Sequence, residues 1–198
     1  MNRKGFTLVE LLVMLVVLSV LIGIAVPNIT GILRDNKNSM TLDDANRMLD
    51  SARVKATTEP KVLELEYDGD CTVLRLSYLD KNDDYKKGPN DGSYDKSESF
   101  VVIQLKKEYI DGREEIDYQY FVRLIEKKGD KLYGINMAPA ANVEKREKDI
   151  FKNQPRLFSV HEWDDMTNLY STNSDAIRDK IRSSSPDIVC SSIKYDFK

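Results

Sequence analysis

Histidine is almost missing from this 198-residue chain, which has only His161, and cysteine is scarce, with only Cys71 and Cys190. A structural zinc site draws four ligands mostly from these two residue types, so the supply argues against one. A serine or cysteine nucleophile needs a base beside it, and nothing near His161 in the sequence provides such a grouping. Neither the phosphate-binding loop nor the glycine-rich dinucleotide turn occurs. The adjacent carboxylates Glu114-Glu115 and Asp164-Asp165 read as solvated surface rather than as acid–base pairs. Basic charge is also not in excess: 30 Lys and Arg face 33 Asp and Glu, a formal net charge of −3. Such a chain is a poor match for phosphate backbones. These absences describe a non-enzyme with no cofactor, no expected nucleic-acid partner and no metal site.

What the chain does have is one long apolar run. Residues 6–26 read FTLVELLVMLVVLSVLIGIAV, and their single charge is Glu10. As a helix the run is about 31 Å long, which matches a hydrocarbon core of about 30 Å. Arg3 and Lys4 precede it, so the positive-inside rule keeps the N-terminus cytoplasmic and sends the polar body outward. Three explanations compete. A secretory signal peptide would be cut after the run, but the run is long for that role and holds a carboxylate. An ordinary signal anchor leaves Glu10 as an unexplained cost. In the third, a short basic leader is removed before the run and the run is kept.

The string KGFTLVE, Lys4 to Glu10, favours the third explanation. It resembles the prepilin motif of type IV pilins and pseudopilins: a basic residue, Gly, an aromatic or aliphatic residue, Thr, Leu, an aliphatic residue, then Glu. The resemblance implies cleavage between Gly5 and Phe6 by prepilin peptidase and N-methylation of the new Phe6 amine. It gives Glu10, with Thr7, a part in assembly and register. Pro27 stands where many of these proteins carry a proline, and proline removes a donor and kinks a helix. Cleavage would place an ammonium on Phe6 one helical turn from Glu10, so the two can partly neutralise each other within a subunit. Across subunits, an out-of-step dock would leave both charges buried and unpaired, at a cost of several kcal/mol.

The resemblance further implies an α+β, pilin-like fold: a long N-terminal helix packed on an antiparallel β-sheet. Its divisions are a leader at 1–5, a transmembrane and filament-core helix at 6–27, an amphipathic half at 28–59 and a globular head at 60–198. The implied function is structural, that of a minor pilin in a type IV pilus or related filament. The alternatives are a pseudopilin of a type II secretion or DNA-uptake system, and a pilus-borne adhesin. The implied partners are other pilin subunits, prepilin peptidase, the assembly platform with its ATPase, and the membrane. The implied location is the cytoplasmic membrane as a single pass, then the cell-surface pilus.

Past Pro27, apolar residues recur at Ile29, Ile32, Leu33, Met40, Ala45, Met48, Leu49, Ala52 and Ala56. That is a stripe at helical spacing, which predicts that the helix continues to Pro60 and packs on a sheet. Thr41 to Asp44 resembles a capping box, so a break near Ser39–Thr41 is open. From Lys61 the period changes to two. Strands are expected in KVLELEYD, TVLRLSYL, Ser99–Lys107, Asp117–Glu126 and Lys131–Asn136, with Gly69-Asp70 and Asp111-Gly112 as turns. Beyond Pro139 a charged helix at 143–152, a strand at 157–163 and a short helix at 175–183 are weaker expectations, with His161 and Trp163 read as packing residues. The polar loop from Asp80 to Glu98 opens with Asp80, Asn82 and Asp84, the start of a calcium-loop pattern that then fails at Tyr85. Cys71 and Cys190 are either a disulfide or two buried thiols.

Overall fold

A computed structural model of the chain describes residues 7–147, 151, 190 and 192–198, with the backbone alone for 24–28. The chain divides into two units, Met1–Asn38 and Ser39–Lys198. Helix α1, Leu8–Thr58, contributes to both. Its backbone is helical through Ser39–Thr41, so the break suggested by Thr41 and Asp44 does not form. Thr41 is buried there, and Asp44 is engaged instead by Arg47 and by the Tyr94 hydroxyl at 2.5 Å.

In the second unit the predicted stripe is core. Ala45, Met48, Leu49 and Ala52 are fully buried, flanked by Leu42 and Ala56. They meet Val101, Ile103, Val122 and Leu124 of the sheet. The alanines leave the helix surface low, which lets the sheet approach while Met48 and Leu49 fill the space between. The earlier members of the stripe, Ile29, Ile32, Leu33 and Met40, are exposed, so helical spacing alone does not make them core.

Pro60 ends α1 as expected, but the alternating segment after it is not a strand. Residues Pro60–Leu63 form a 3₁₀ turn in which the Val62 amide donates back to the Glu59 carbonyl at 2.9 Å. The Asp70 carboxylate then accepts from the Glu66 and Tyr67 amides at 3.2 and 3.0 Å, curling the chain into a loop. Val62 and Leu65 are buried all the same, so the alternation marks burial without sheet pairing. Gly69-Asp70 is therefore the entry to a strand, not a hairpin. That strand, β1, is Asp70–Arg75, and Leu76–Leu79 turns into a short helix, α2, where a longer strand was expected.

The remaining strands are β2 (Ser93–Tyr94), β3 (Phe100–Ile110), β4 (Arg113–Lys128), β5 (Lys131–Pro139) and β6 (Ser192–Phe197). They form one sheet in the order β2-β4-β3-β1-β6, with β5 also pairing β4. All pairs are antiparallel except β1 with β6, which is parallel. The result is an α+β arrangement consistent with a pilin-like fold. Asp111-Gly112 makes the β3–β4 turn as predicted, with positive φ at both residues. Where β5 meets β4 the register shifts between Val122 and Leu124, and Gly134 adopts φ 134°. A Cβ on Gly134 would sit 1.9 Å from the Leu124 carbonyl oxygen, so glycine is required there. Of the weaker C-terminal expectations, the described part of 143–152 holds the end of the short helix α3, Ala140–Glu144, and a helical Phe151. The expected elements at 157–163 and 175–183, with His161 and Trp163, lie outside the described residues.

Cys71 and Cys190 are joined by a disulfide across 119 residues of sequence. It lies in a second cluster on the sheet with Val73, Phe100, Val102, Phe121 and Met137. It also ties β6 to β1, helped by a two-pronged Arg75–Asp196 ion pair at 2.8 and 2.9 Å. A loop of this length predicts that replacing both cysteines by serine costs about 4–5 kcal/mol in the chain-entropy model. Urea unfolding of the full chain in detergent, followed by tyrosine fluorescence, should show that loss as a lower midpoint, and an unchanged midpoint would refute it.

Candidate assembly site

The N-terminal end of α1 carries the residues that the sequence singled out. Glu10 and Thr7 are reciprocal partners: the Thr7 amide and hydroxyl donate to Glu10 Oε2 at 2.9 and 2.8 Å, and the Glu10 amide donates to Thr7 Oγ1 at 3.3 Å. This is a capping box, in which the first turn's orphan amides are satisfied by the two side chains. The sequence has the Thr-x-x-Glu spacing for it at Thr7–Glu10, whereas the spacing noticed at Thr41–Asp44 is inside the helix. None of the three bonds uses Phe6, so removal of residues 1–5 would leave the box whole. Arg3, Lys4, Gly5 and Phe6 themselves lie outside the described residues.

The helix beyond the box is apolar on every side. Each large apolar residue from Leu8 to Ile22 is more than half exposed in the single chain. A helix that is apolar all round belongs in lipid or among other helices. Among the described residues no helix is long and apolar enough to cross a membrane. The run read in the sequence, 6–26, begins at Phe6 and ends in 24–26, whose side chains are not described. The backbone is helical through Pro27, which cannot donate to the carbonyl of Gly23 one turn back. Space around Gly23 and Gly31 is open, so neither glycine is required by contacts within the chain.

The loop of the calcium-like pattern is organised by protein groups. Asp80 is buried, accepts from the Asp84 amide at 2.7 Å and the Tyr85 amide at 3.3 Å, and pairs with Lys96 at 2.9 Å. Asn82 and Asp84 are exposed. Among the described residues no cluster of three His, Cys, Asp or Glu could hold a metal ion. The other end of the loop is held by Glu126, a buried residue that sequence reading passed over as part of a strand. Its carboxylate accepts from the Asn90 amide and side chain, both at 2.9 Å, and from the Gly92 amide at 2.7 Å. Tyr94 and Tyr85 tie the loop to α1: burial, and for Tyr94 the Asp44 carboxylate, push both phenols up, Tyr85 to about 12. Only the charged residue inside an otherwise alternating strand could have signalled Glu126.

Burial tends to raise the Asp80 carboxyl, but the Lys96 ammonium and the two amides outweigh it and hold it below the usual aspartate range. A depressed folded value contributes stability above the unfolded value of about 3.9 and loses it as pH falls through the folded value. The chain should therefore keep its urea resistance from neutral pH to about pH 5 and lose it as pH falls through about 3.9 towards the lower folded value. Asp80→Asn should start from a lower midpoint at neutral pH and lose less on acidification; parallel losses in the two proteins would exclude this role.

Residues 1–26 match a family model described as the prokaryotic N-terminal methylation motif, the hallmark of type IV pilin and pseudopilin prepilins. No curated protein and no solved structure matches the chain.

Proposed function

We propose that this chain, which carries the prepilin methylation motif at residues 1–26, is a structural subunit, a minor pilin, of a type IV pilus or related filament. In this reading prepilin peptidase cuts between Gly5 and Phe6 and methylates the Phe6 amine. Residues 6–27 first hold the subunit in the cytoplasmic membrane and then move into a bundle of identical or related helices, driven by the assembly platform and its ATPase. The observation that carries the reading is the Thr7–Glu10 box at the head of an exposed apolar helical segment, Leu8–Ile22. Nothing else in the described chain covers that surface, and lipid or neighbouring helices would.

The box also supports a refinement of how Glu10 acts. With one oxygen of the carboxylate held by Thr7, the other stays available to a neighbour's ammonium. The helix start would then keep the carboxylate aimed while the subunit waits in lipid. Between lipid and a helix bundle there is little hydrophobic gain, so shape and this one polar contact decide the register. Pro27, lacking its amide donor, is the place where the helix can bend or stretch on the way. The polar head, 60–198 with the end of α1, would face outward, where a disulfide is chemically stable.

Gly5→Leu should leave uncut precursor in the membrane fraction, visible as a slower band on a gel; normal processing would remove the prepilin reading. Glu10→Val should still be cut yet fail to enter sheared filaments, and unaltered entry would remove the register role. Immunogold labelling of cells with and without the gene separates the finer roles. Sparse or tip labelling of surface fibres supports a minor pilin. Labelling along the whole fibre would make it a major subunit, and no labelled fibre a pseudopilin.

A further inference from the structure

The sequence contains three Asp-Gly pairs, Asp68-Gly69, Asp91-Gly92 and Asp111-Gly112, and no Asn-Gly. An aspartate followed by glycine is open to attack on its own side chain, because glycine has no Cβ to crowd the attacking amide and lets the backbone turn towards it. The glycine amide nitrogen bonds to the aspartate Cγ, one water leaves, and a five-membered succinimide closes. Water then reopens the ring. At Cγ it restores aspartate; at the α-carbonyl carbon it gives isoaspartate, in which the chain runs on through Cβ and Cγ. Mass and the number of charges are unchanged, and the water lost in closure is regained in opening. What separates the three sites is whether amide and carboxylate are free to meet.

At two of them both groups are held. The Gly69 amide donates to Leu105 O, and Asp68 Oδ1 accepts from the Lys107 amide, both at 2.8 Å. Gly69 is buried, and the next residue, Asp70, is fixed by the Glu66 and Tyr67 amides and the Ser192 hydroxyl. Gly92 is buried as well, and its amide donates to Glu126 Oε1 at 2.7 Å. Drawing that amide away would strip a buried carboxylate of one of its donors, which is costly. The Asp91 carboxylate itself faces Lys128 at 3.4 Å.

The third site has none of these restraints. The pairing of β1 with β3 stops at Gln104, and that of β5 with β4 stops at Phe121. From Leu105 opposite Tyr118 to Ile110 opposite Arg113, β3 and β4 pair only with each other, and Asp111-Gly112 is the tip of that ribbon. Both residues are exposed, and the Gly112 amide donates to no group among the described residues. A free two-stranded ribbon is marginal in water, and Glu108 directly opposite Glu115 weakens this one further. Its tip therefore opens at little cost in free energy. Asp111 also sits at φ 52°, a left-handed conformation that favours its departure from the turn.

We propose that Asp111 is a site of spontaneous isoaspartate formation in this chain, and that the fold shields Asp68 and Asp91 from the same reaction. Isoaspartate adds one backbone carbon to a two-residue turn. The register that this turn fixes, Ile110 opposite Arg113, is lost in the modified chain. The modification follows from the head alone and is independent of the filament reading.

The test keeps the full chain in detergent at neutral pH and moderate heat for weeks, beside a sample unfolded in guanidinium chloride. Trypsin then places the three aspartates on separate peptides. Isoaspartate is measured as methyl groups transferred from labelled S-adenosylmethionine by protein isoaspartyl methyltransferase, and located by electron-transfer fragmentation. In the folded sample Asp111 should exceed each of the other two about tenfold, equivalent to ~1.4 kcal/mol in local opening. Unfolding should bring the three yields close together. Asp111→Glu, which would need a six-membered ring, should remove the Asp111 signal and leave the other two as they were. Equal yields in the folded sample overturn the proposal, as does an excess at Asp68 or Asp91. An excess at Asp111 that is as large after unfolding overturns the shielding, since the flanking sequence then decides. Absence of isoaspartate from the folded sample, whether or not the unfolded one reacts, overturns Asp111 as the site.

Discussion

The head depends on the seating of the second half of α1 on its sheet. Ala45, Ala52 and Ala56 keep the helix surface low along the line where Val101, Ile103, Val122 and Leu124 approach it, and Met48 and Leu49 fill the remaining depth. Close packing of this kind tolerates little change in volume, so each alanine constrains the strand beneath it. Polar ties then fasten the margins. Asp44 takes the Tyr94 hydroxyl, Arg53 reaches Glu144 of α3, and Arg146 donates to Ser39 at 2.9 Å and pairs with Asp43. These exposed or half-exposed ion pairs add little singly. Their placement at both edges of one apolar seam resists rotation of the helix about its axis, which the seam alone would resist less.

The same helix carries two residue patterns. From Leu42 onward its apolar residues, apart from the exposed Val54, are spaced for one face, and polar residues occupy the rest. From Leu8 to Ile22 they occupy every face. The change of pattern falls between, in the stretch that holds Pro27, Gly31 and the exposed Ile29, Ile32 and Leu33. Proline removes one helical hydrogen bond in that stretch, and such a gap is where helices kink most readily.

How much of this could be read from residues alone depended on whether a local rule carried the outcome. The apolar run, the stop at Pro60, the Asp111-Gly112 turn and the three central strands follow from local pattern and were legible. The segment after Pro60 was misread because alternation reports which side chains are buried and not whether the backbone pairs. Here the Val62 amide and the Asp70 carboxylate claim the backbone first. Thr41–Asp44 and Thr7–Glu10 have similar spacing, yet only the second caps a helix. A cap requires an end, and the packing of Leu42 and Ala45 forbids one at Thr41. Glu126, the Asp80–Lys96 pair and the parallel joining of β6 to β1 are long-range, and no window of sequence contains both partners.

That last joining bears on when the head can become complete. β6 enters the sheet only after residues far along the chain have been made, and Cys190 must find Cys71 across 119 residues. Closing so long a loop is entropically costly before the bond forms and stabilising once it has. The bond lies within the cluster of Cys71, Val73, Phe100, Val102 and Phe121. α1 and the β3–β4 hairpin, by contrast, form from neighbouring residues. Both can thus form before the disulfide closes. Closure then holds β6 against β1 and stiffens the sheet that the second half of α1 packs on.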